Sequence, residues 1–270
     1  MSSFLGSSIL GYLPNNRDNG PPTCSVNGED YVNDIVVDGG GHLVVPNGGV
    51  RSIDFFGKAM CGAEVGSVED PFGQPSDAAI ASGNALVKEV VIGHIIDNSY
   101  PGGSISKCSL TRGCKLDLYN QALSTLAGVA TKNGDCWGSG ANSSGTAVLV
   151  YFRHCSGFGR VASGFENAYD GGLDFDGDGN LVSISAFDAK LYVYKGCNPA
   201  CKLVGGPFTL NGNTVFGHLN EQSTEFIGAD FQYGEADVYK YTPTRLTYEY
   251  SFDNGLDASD EVEGAAFNPE

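Results

Sequence analysis

Apolar residues along this chain come in short alternating runs, each cut off by a turn rich in Gly or Asp. The clearest unit reads Gly172-Leu-Asp-Phe-Asp-Gly-Asp-Gly-Asn-Leu-Val-Ser-Ile-Ser185 and continues through Leu191-Tyr-Val-Tyr194 to Lys202-Leu-Val-Gly205. An earlier copy runs Asp34-Ile-Val-Val-Asp-Gly-Gly-Gly-His-Leu-Val-Val-Pro46, followed by Ser52-Ile-Asp-Phe-Phe56. Ala147 to Phe152, Leu191 to Tyr194 and Asp237 to Tyr241 are β-branched and aromatic with polar interruptions, which predicts strands rather than helices. Asn120 to Ala127 has a helical look but is short, and reads as a connector.

Aligned on their first strands, the units begin near Asp34, Asp77, Gly128, Gly172, Gly217 and Gly264. A repeat of roughly 40 residues holding four strands is the mark of propeller blades. The sixth unit breaks off at Glu270 after little more than its inner strand. Its missing part lies at the other terminus, where Ile9 to Leu13 and Thr23 to Val26 read as an outer hairpin with no inner strands before it. The expectation is an all-β, six-bladed propeller, a single domain over 1–270. Residues 1–26 and 262–270 share its last blade, which closes the ring and removes open sheet edges.

Charge narrows the partners. Thirty-two acidic against fifteen basic residues leave a net charge of −17, which repels nucleic-acid phosphate and anionic membranes and favours cations. No apolar run approaches the roughly 18 residues of a membrane span. The partner expected is a small molecule, a carbohydrate or a protein, with no nucleic acid and no membrane.

Eight cysteines lie mostly at hairpin tips. Cys108 with Cys114, and Cys197 with Cys201, bracket equivalent outer turns and suit local disulfides. Cys136 and Cys155 bracket one hairpin of the third unit, and Cys24 and Cys61 remain for each other. The C-x3-C and C-x5-C spacings lack the second pair or the histidines that a zinc site needs. Four disulfides imply an oxidising compartment, and so a secreted, extracellular or periplasmic protein. Met1 is followed by small polar residues rather than an apolar leader, as in a mature chain behind an added start codon.

The phrase Gly172 to Leu181 resembles the NHL-type and gluconolactonase/regucalcin-like six-bladed propellers. Ser183 to Cys197 and Gly205 to Phe208 resemble a group of uncharacterised secreted bacterial propellers along nearly the whole chain. The second resemblance implies the fold and carries no assigned activity. The first implies a metal: Glu263-Gly264 is similar to the Glu-Gly that opens an inner strand in gluconolactonase-like enzymes, where the Glu is a ligand. Asn33-Asp34 is similar to the Asn-Asp of a later strand, where the Asn is a second ligand. The two motifs do not stand in this order in that family, and its remaining Asp ligand has no clear match. With Asp77 as a third acid at a strand start, such oxygen donors suit Ca²⁺, which would polarise a lactone carbonyl. His218, on an inner strand, would be the base.

Further candidates come from the residues alone. Asp34 joins the acids around the expected channel. Asp174, Asp176 and Asp178 open like a calcium loop, but Ser185 stands at the twelfth position, where an EF-hand needs Glu; the same residues also fit an ordinary turn. Phe187, Asp188 and Tyr233 lie in loops after second strands on one face, where they could stack on a ligand or pack between blades. His42 is expected to be exposed in its turn. No G-x-S-x-G elbow, P-loop or H-E-x-x-H occurs. With no complete catalytic set, the sequence reads as a secreted binding or scaffold propeller of unknown ligand. The alternative is a Ca²⁺-dependent lactonase.

Overall fold

The computed structural model describes residues 2–3, 8–12, 17–27, 32–58, 61–80, 84–97, 102–256 and 264–267. Their strands form five four-stranded antiparallel meanders and one three-stranded sheet. The first meander is β4 (Val36–Val37), β5 (Leu43–Asn47), β6 (Ser52–Phe56) and β7 (Glu64–Glu69). The second is β8 (Gly73–Ile80), β9 (Val90–Asp97), β10 (Ser104–Ser109) and β11 (Gly113–Tyr119). The third is β12 (Thr125–Lys132), β13 (Asp135–Ala141), β14 (Ala147–Phe152) and β15 (Arg160–Val161). β16 (Leu173–Phe175), β17 (Leu181–Ser185), β18 (Lys190–Gly196) and β19 (Cys201–Thr209) make the fourth. β20 (Thr214–Leu219), β21 (Glu225–Asp230), β22 (Glu235–Thr242) and β23 (Arg245–Phe252) make the fifth.

Middle strands are covered on both faces, which is why β6 and β17 are buried throughout, whereas the outer β7 alternates exposed and half-buried positions. Each sheet packs on the next. Ile53 and Phe55 meet Val90 and Ile92; Val91 and Ile105 meet Val129, Val150 and Phe152. Trp137 and Leu149 meet Leu173 and Tyr194, and Val182 and Val193 meet Phe226 and Tyr239. This serial face-to-face burial, with first strands turned to a common axis, is the propeller architecture.

The N-terminal strands β1 (Ser2–Ser3), β2 (Ser8–Gly11) and β3 (Cys24–Asn27) form the three-stranded sheet. It has neighbours on both sides. Tyr12 packs edge-on against Phe252 and donates to the Asn254 carbonyl at 2.8 Å, toward the fifth sheet. Ile9 packs with Val32, Ile35, Val45 and Phe56, toward the first. Gly264 to Phe267 pass close by: Ala265 is buried with Ile227 and Phe252, and Ala266 packs against the Ile9 cluster.

Five four-stranded blades are therefore present where six were expected. The sixth position holds three N-terminal strands, and Gly264 to Phe267 run beside them without a strand ladder. A Gly-Ala-Ala-Phe run offers little side-chain surface to fix a register. All four disulfides join the expected partners: Cys24–Cys61, Cys108–Cys114, Cys136–Cys155 and Cys197–Cys201. His42 is not exposed in its turn, contrary to the expectation from sequence. Its ring is largely covered and bonds the Asp38 carboxylate at 2.9 Å. Among the described residues no helix is long and apolar enough to cross a membrane.

Candidate functional site

A cavity of about 170 Å³ lies on the axis, walled by Val36–Val37, Ala78–Ile80, Ala130–Thr131, Leu173–Phe175, His218–Leu219 and Ala266–Phe267. Each first strand and the C-terminal segment contributes a matching pair or triplet. Most lining residues are of apolar type, but the surface they turn to the cavity is more polar than apolar, and its charged members are Asp174 and His218.

Behind them is a chain of charges linking four sheets. His218 Nε2 lies 3.1 Å from Asp34 Oδ2, and Nδ1 lies 3.7 Å from Asp174 Oδ2. Ligand atoms of Asp34, Asp77 and His218 fall within 4.8 Å of one another. Asp77 takes backbone N–H bonds from Ala78 (2.7 Å) and Val129 (2.6 Å). Asp174 takes them from Phe175 (2.6 Å) and Leu219 (2.9 Å). Burial opposes charge on His218, but Asp34 and Asp174 outweigh it and hold its pKa well above the usual histidine value. Burial, then the charge and hydrogen bond of Asp34, drives Asp77 well above the usual carboxylate range. Burial beside Asp34 thus favours the protonated form of Asp77, while Asp34 and Asp174 favour the charged form of His218.

An axial Ca²⁺ has a poor donor set here. Asn33 is buried and donates its side-chain N–H to the Pro75 carbonyl at 3.0 Å. One of the three converging groups is the His218 imidazole, and calcium prefers oxygen. Glu263 lies outside the described residues.

Asp174, Asp176 and Asp178 do not converge. Asp176 accepts from the Asn180 backbone N–H (2.8 Å), the Asn180 side chain (2.8 Å) and the Tyr241 hydroxyl (2.9 Å). Asp178 is exposed, and Asp174 faces the axis. Asp38 closes the equivalent turn of the first sheet in the same way, bonding the backbone of Gly40 and His42.

One further constellation has the atoms of a hydrolase triad. Ser104 Oγ lies 2.7 Å from His94 Nδ1, and His94 Nε2 lies 2.9 Å from Asp70 Oδ2. All three residues are buried at the heart of the second sheet, and the axial cavity does not reach them. Burial raises the Asp70 pKa, but the hydrogen bond and charge of His94 prevail and hold it below the usual value. The fourth sheet has a counterpart without histidine, in which Asn167 bonds Ser183 and the Tyr194 hydroxyl. These networks stitch blades internally.

Exposed aromatics occur at several places, among them Phe158 between β14 and β15 and Tyr248 on β23, and two of the turns that join second to third strands carry one each. Phe187 (63% exposed) lies in the β17–β18 turn and Tyr233 (54%) in the β21–β22 turn, with Tyr169 (44%) in the preceding connector. Phe187 and Tyr169 rings meet edge to face at 6.0 Å. Phe187 has φ +62°, and the Asp188 N–H bonds the Ala186 carbonyl across it at 2.8 Å. That is a γ-turn with a bulky residue at a positive-φ centre, a rare and strained form. Asp188 below it keeps one buried oxygen without a hydrogen-bond partner.

No family model matches the chain, and none of the curated proteins does. Solved structures do. A chain of the crystallised nidogen/laminin complex superposes with TM-score 0.71 at 11% identity, over 97% of this chain and 95% of that one. A functionally unknown protein from Desulfotomaculum acetoxidans DSM 771 gives 0.59 at 14% identity, over 97% and 81%. A luciferin-regenerating enzyme gives 0.60 at 10% identity, over 88% and 80%. At such identities the likeness supports a β-propeller fold and nothing finer.

Proposed function

We propose that this protein is a secreted binding propeller whose recognition surface is the face bearing Tyr169, Phe187 and Tyr233. The strained Phe187 turn carries this reading. The ring's packing partner is Tyr169, a contact that does not outweigh the positive-φ cost that Gly or Asn would avoid, so we read the strain as kept for contact with a partner. Rigid exposed aromatics are the residues that anchor interfaces. The chain's net charge of −17 favours a partner with basic groups around an apolar or flat element. Four disulfides suit an oxidising, extracellular setting. The nidogen/laminin neighbour comes from a complex between proteins, a use compatible with this face.

The scaffold is read as a six-position ring. The N-terminal sheet and the segment around Gly264 to Phe267 together fill the last position, within one domain over 1–270. Support comes from Ala266–Phe267, which complete the wall of the axial cavity.

A lactonase reading keeps one favourable observation, the convergence of Asp34, Asp77 and His218. Glu263, Asn33 and Asp77 would be its ligands and His218 its base. Side-by-side binding to protein and glycan arrays separates the two readings. Wild type, Phe187→Asn and His218→Gln should give ligands that are lost with Phe187→Asn and kept with His218→Gln. Lactone hydrolysis that needs Ca²⁺ and dies in His218→Gln would instead establish the enzyme.

A further inference from the structure

Three carboxylates meet beneath the Tyr233 turn, away from the axis. Asp230 ends β21, and Glu235 and Asp237 open β22. The register pairs Asp230 with Glu235 and Gly228 with Asp237, so strand alternation sets all three acids on one face. Their oxygens lie within 4.8 Å of one another, with Asp230 and Asp237 fully buried. Acids opposed in this way repel. Among the described residues no Lys, Arg or His makes an ion pair with any of them.

Hydrogen bonds answer only part of this. Asp230 Oδ1 accepts the N–H groups of Gln232 (2.8 Å) and Tyr233 (3.2 Å), and Asp237 Oδ2 accepts the Tyr239 hydroxyl (3.2 Å). The Asn213 N–H also approaches Asp230 and the Asn211 side chain approaches Asp237, yet Asp230 Oδ2 and Asp237 Oδ1 are buried without a hydrogen bond of good geometry. A fourth group points the same way. Thr214, wholly buried, stands opposite Asp230 in register, and its Oγ1 also has no partner. Its hydroxyl lies over Gly228, 3.2 Å from where a Cβ would stand, and its methyl carbon would be at 2.8 Å. Thr214 and Phe226 leave no room for a side chain at 228, and the register places Thr214 and Asp237 on either side of β21.

We propose that Thr214, Asp230, Glu235 and Asp237 form a calcium site. Asp230 Oδ2, Asp237 Oδ1, a Glu235 oxygen and Thr214 Oγ1 are its protein ligands, and water completes the shell. An all-oxygen donor set with three carboxylates and no nitrogen or sulfur selects a hard cation. Calcium, with flexible geometry and six to eight oxygens, suits it better than magnesium, which demands near-ideal octahedral geometry and keeps several waters. The ion would tie β20, β21 and β22 together and fix the Tyr233 turn through the two N–H bonds to Asp230. The site stands independently of the binding reading.

Calorimetric titration of Ca²⁺ into the chelator-stripped full chain, with melting curves beside it, tests this. Wild type should bind one ion at this site and gain several degrees in Tm at about 100-fold excess over Kd. Asp230→Asn should abolish that binding. Thr214→Val, which keeps the shape, should weaken it several-fold. Asp34→Asn, at the axis, should leave it unchanged. No binding at about 10 mM Ca²⁺, above the weakest range of extracellular modules, would overturn the proposal. So would binding that ignores both Asp230→Asn and Thr214→Val but disappears in Asp34→Asn.

Discussion

At the scale of single residues, the axis is governed by one imidazole. Asp34 and Asp174 favour the charged form of His218, and burial beside Asp34 favours the protonated form of Asp77. Both groups have folded pKa values above their unfolded ones. Their contribution is complete at pH values below the unfolded pKa and is lost as pH rises through the folded value. The Asp77 share is therefore lost from the ordinary value of 3.8 upward and the His218 share from 6.5 upward, so the decline from neutral toward alkaline pH should carry the His218 share and be flattened in His218→Gln. Equal slopes for wild type and variant would remove His218 from the account. The acids Asp34 and Asp77 are legible in sequence because they stand at the aligned starts of the repeat units. The part of His218 is less so. A register shift between Thr214 and Gly217, with one extra residue on β20, changes which side chains face inward. The Asp230, Glu235 and Asp237 group is invisible without strand register, since only pairing brings 230 beside 235 and 228 beside 237.

Elements were largely legible from alternation and turn chemistry. Ala147–Phe152 is a strand over the whole predicted span, and Asp38 and Asp176 close equivalent turns at the predicted places. The networks inside each sheet were not legible, because Asp70, His94 and Ser104 lie far apart in sequence and share no spacing motif. Their chemistry gives a sharp prediction. Asp70→Asn leaves the buried His94 without its carboxylate and should cost about 3–5 kcal/mol, the range for breaking a buried pair. Ser104→Ala should cost about 1–3 kcal/mol. Urea unfolding measures both. A near-neutral Asp70→Asn would mean that the second sheet does not depend on this network.

For the whole molecule, the repeat period gave the propeller but not the state of its sixth position, where a short Gly-Ala segment carries no pattern strong enough to fix pairing. The N-terminal sheet is tied to both neighbours, by Tyr12 and Asn19 to the end of the fifth sheet and by Cys24–Cys61 to the first. Deleting residues 1–27 should abolish cooperative unfolding. Cys24→Ser with Cys61→Ser, opening a 37-residue separation, should cost about 4 kcal/mol on the loop-entropy estimate. An unchanged melting transition in the deleted chain would refute the closed ring. The central claim is that this ring presents Phe187 for recognition and not for folding, and the melting temperature of Phe187→Asn tests it most directly. Relief of positive-φ strain is worth about 1–2 kcal/mol, against about 0.5–1.5 kcal/mol for the lost ring pair with Tyr169. The account predicts a Tm equal to wild type or a few degrees above it. A fall of about 5 °C or more would show that the ring holds the fold together and would contradict the claim.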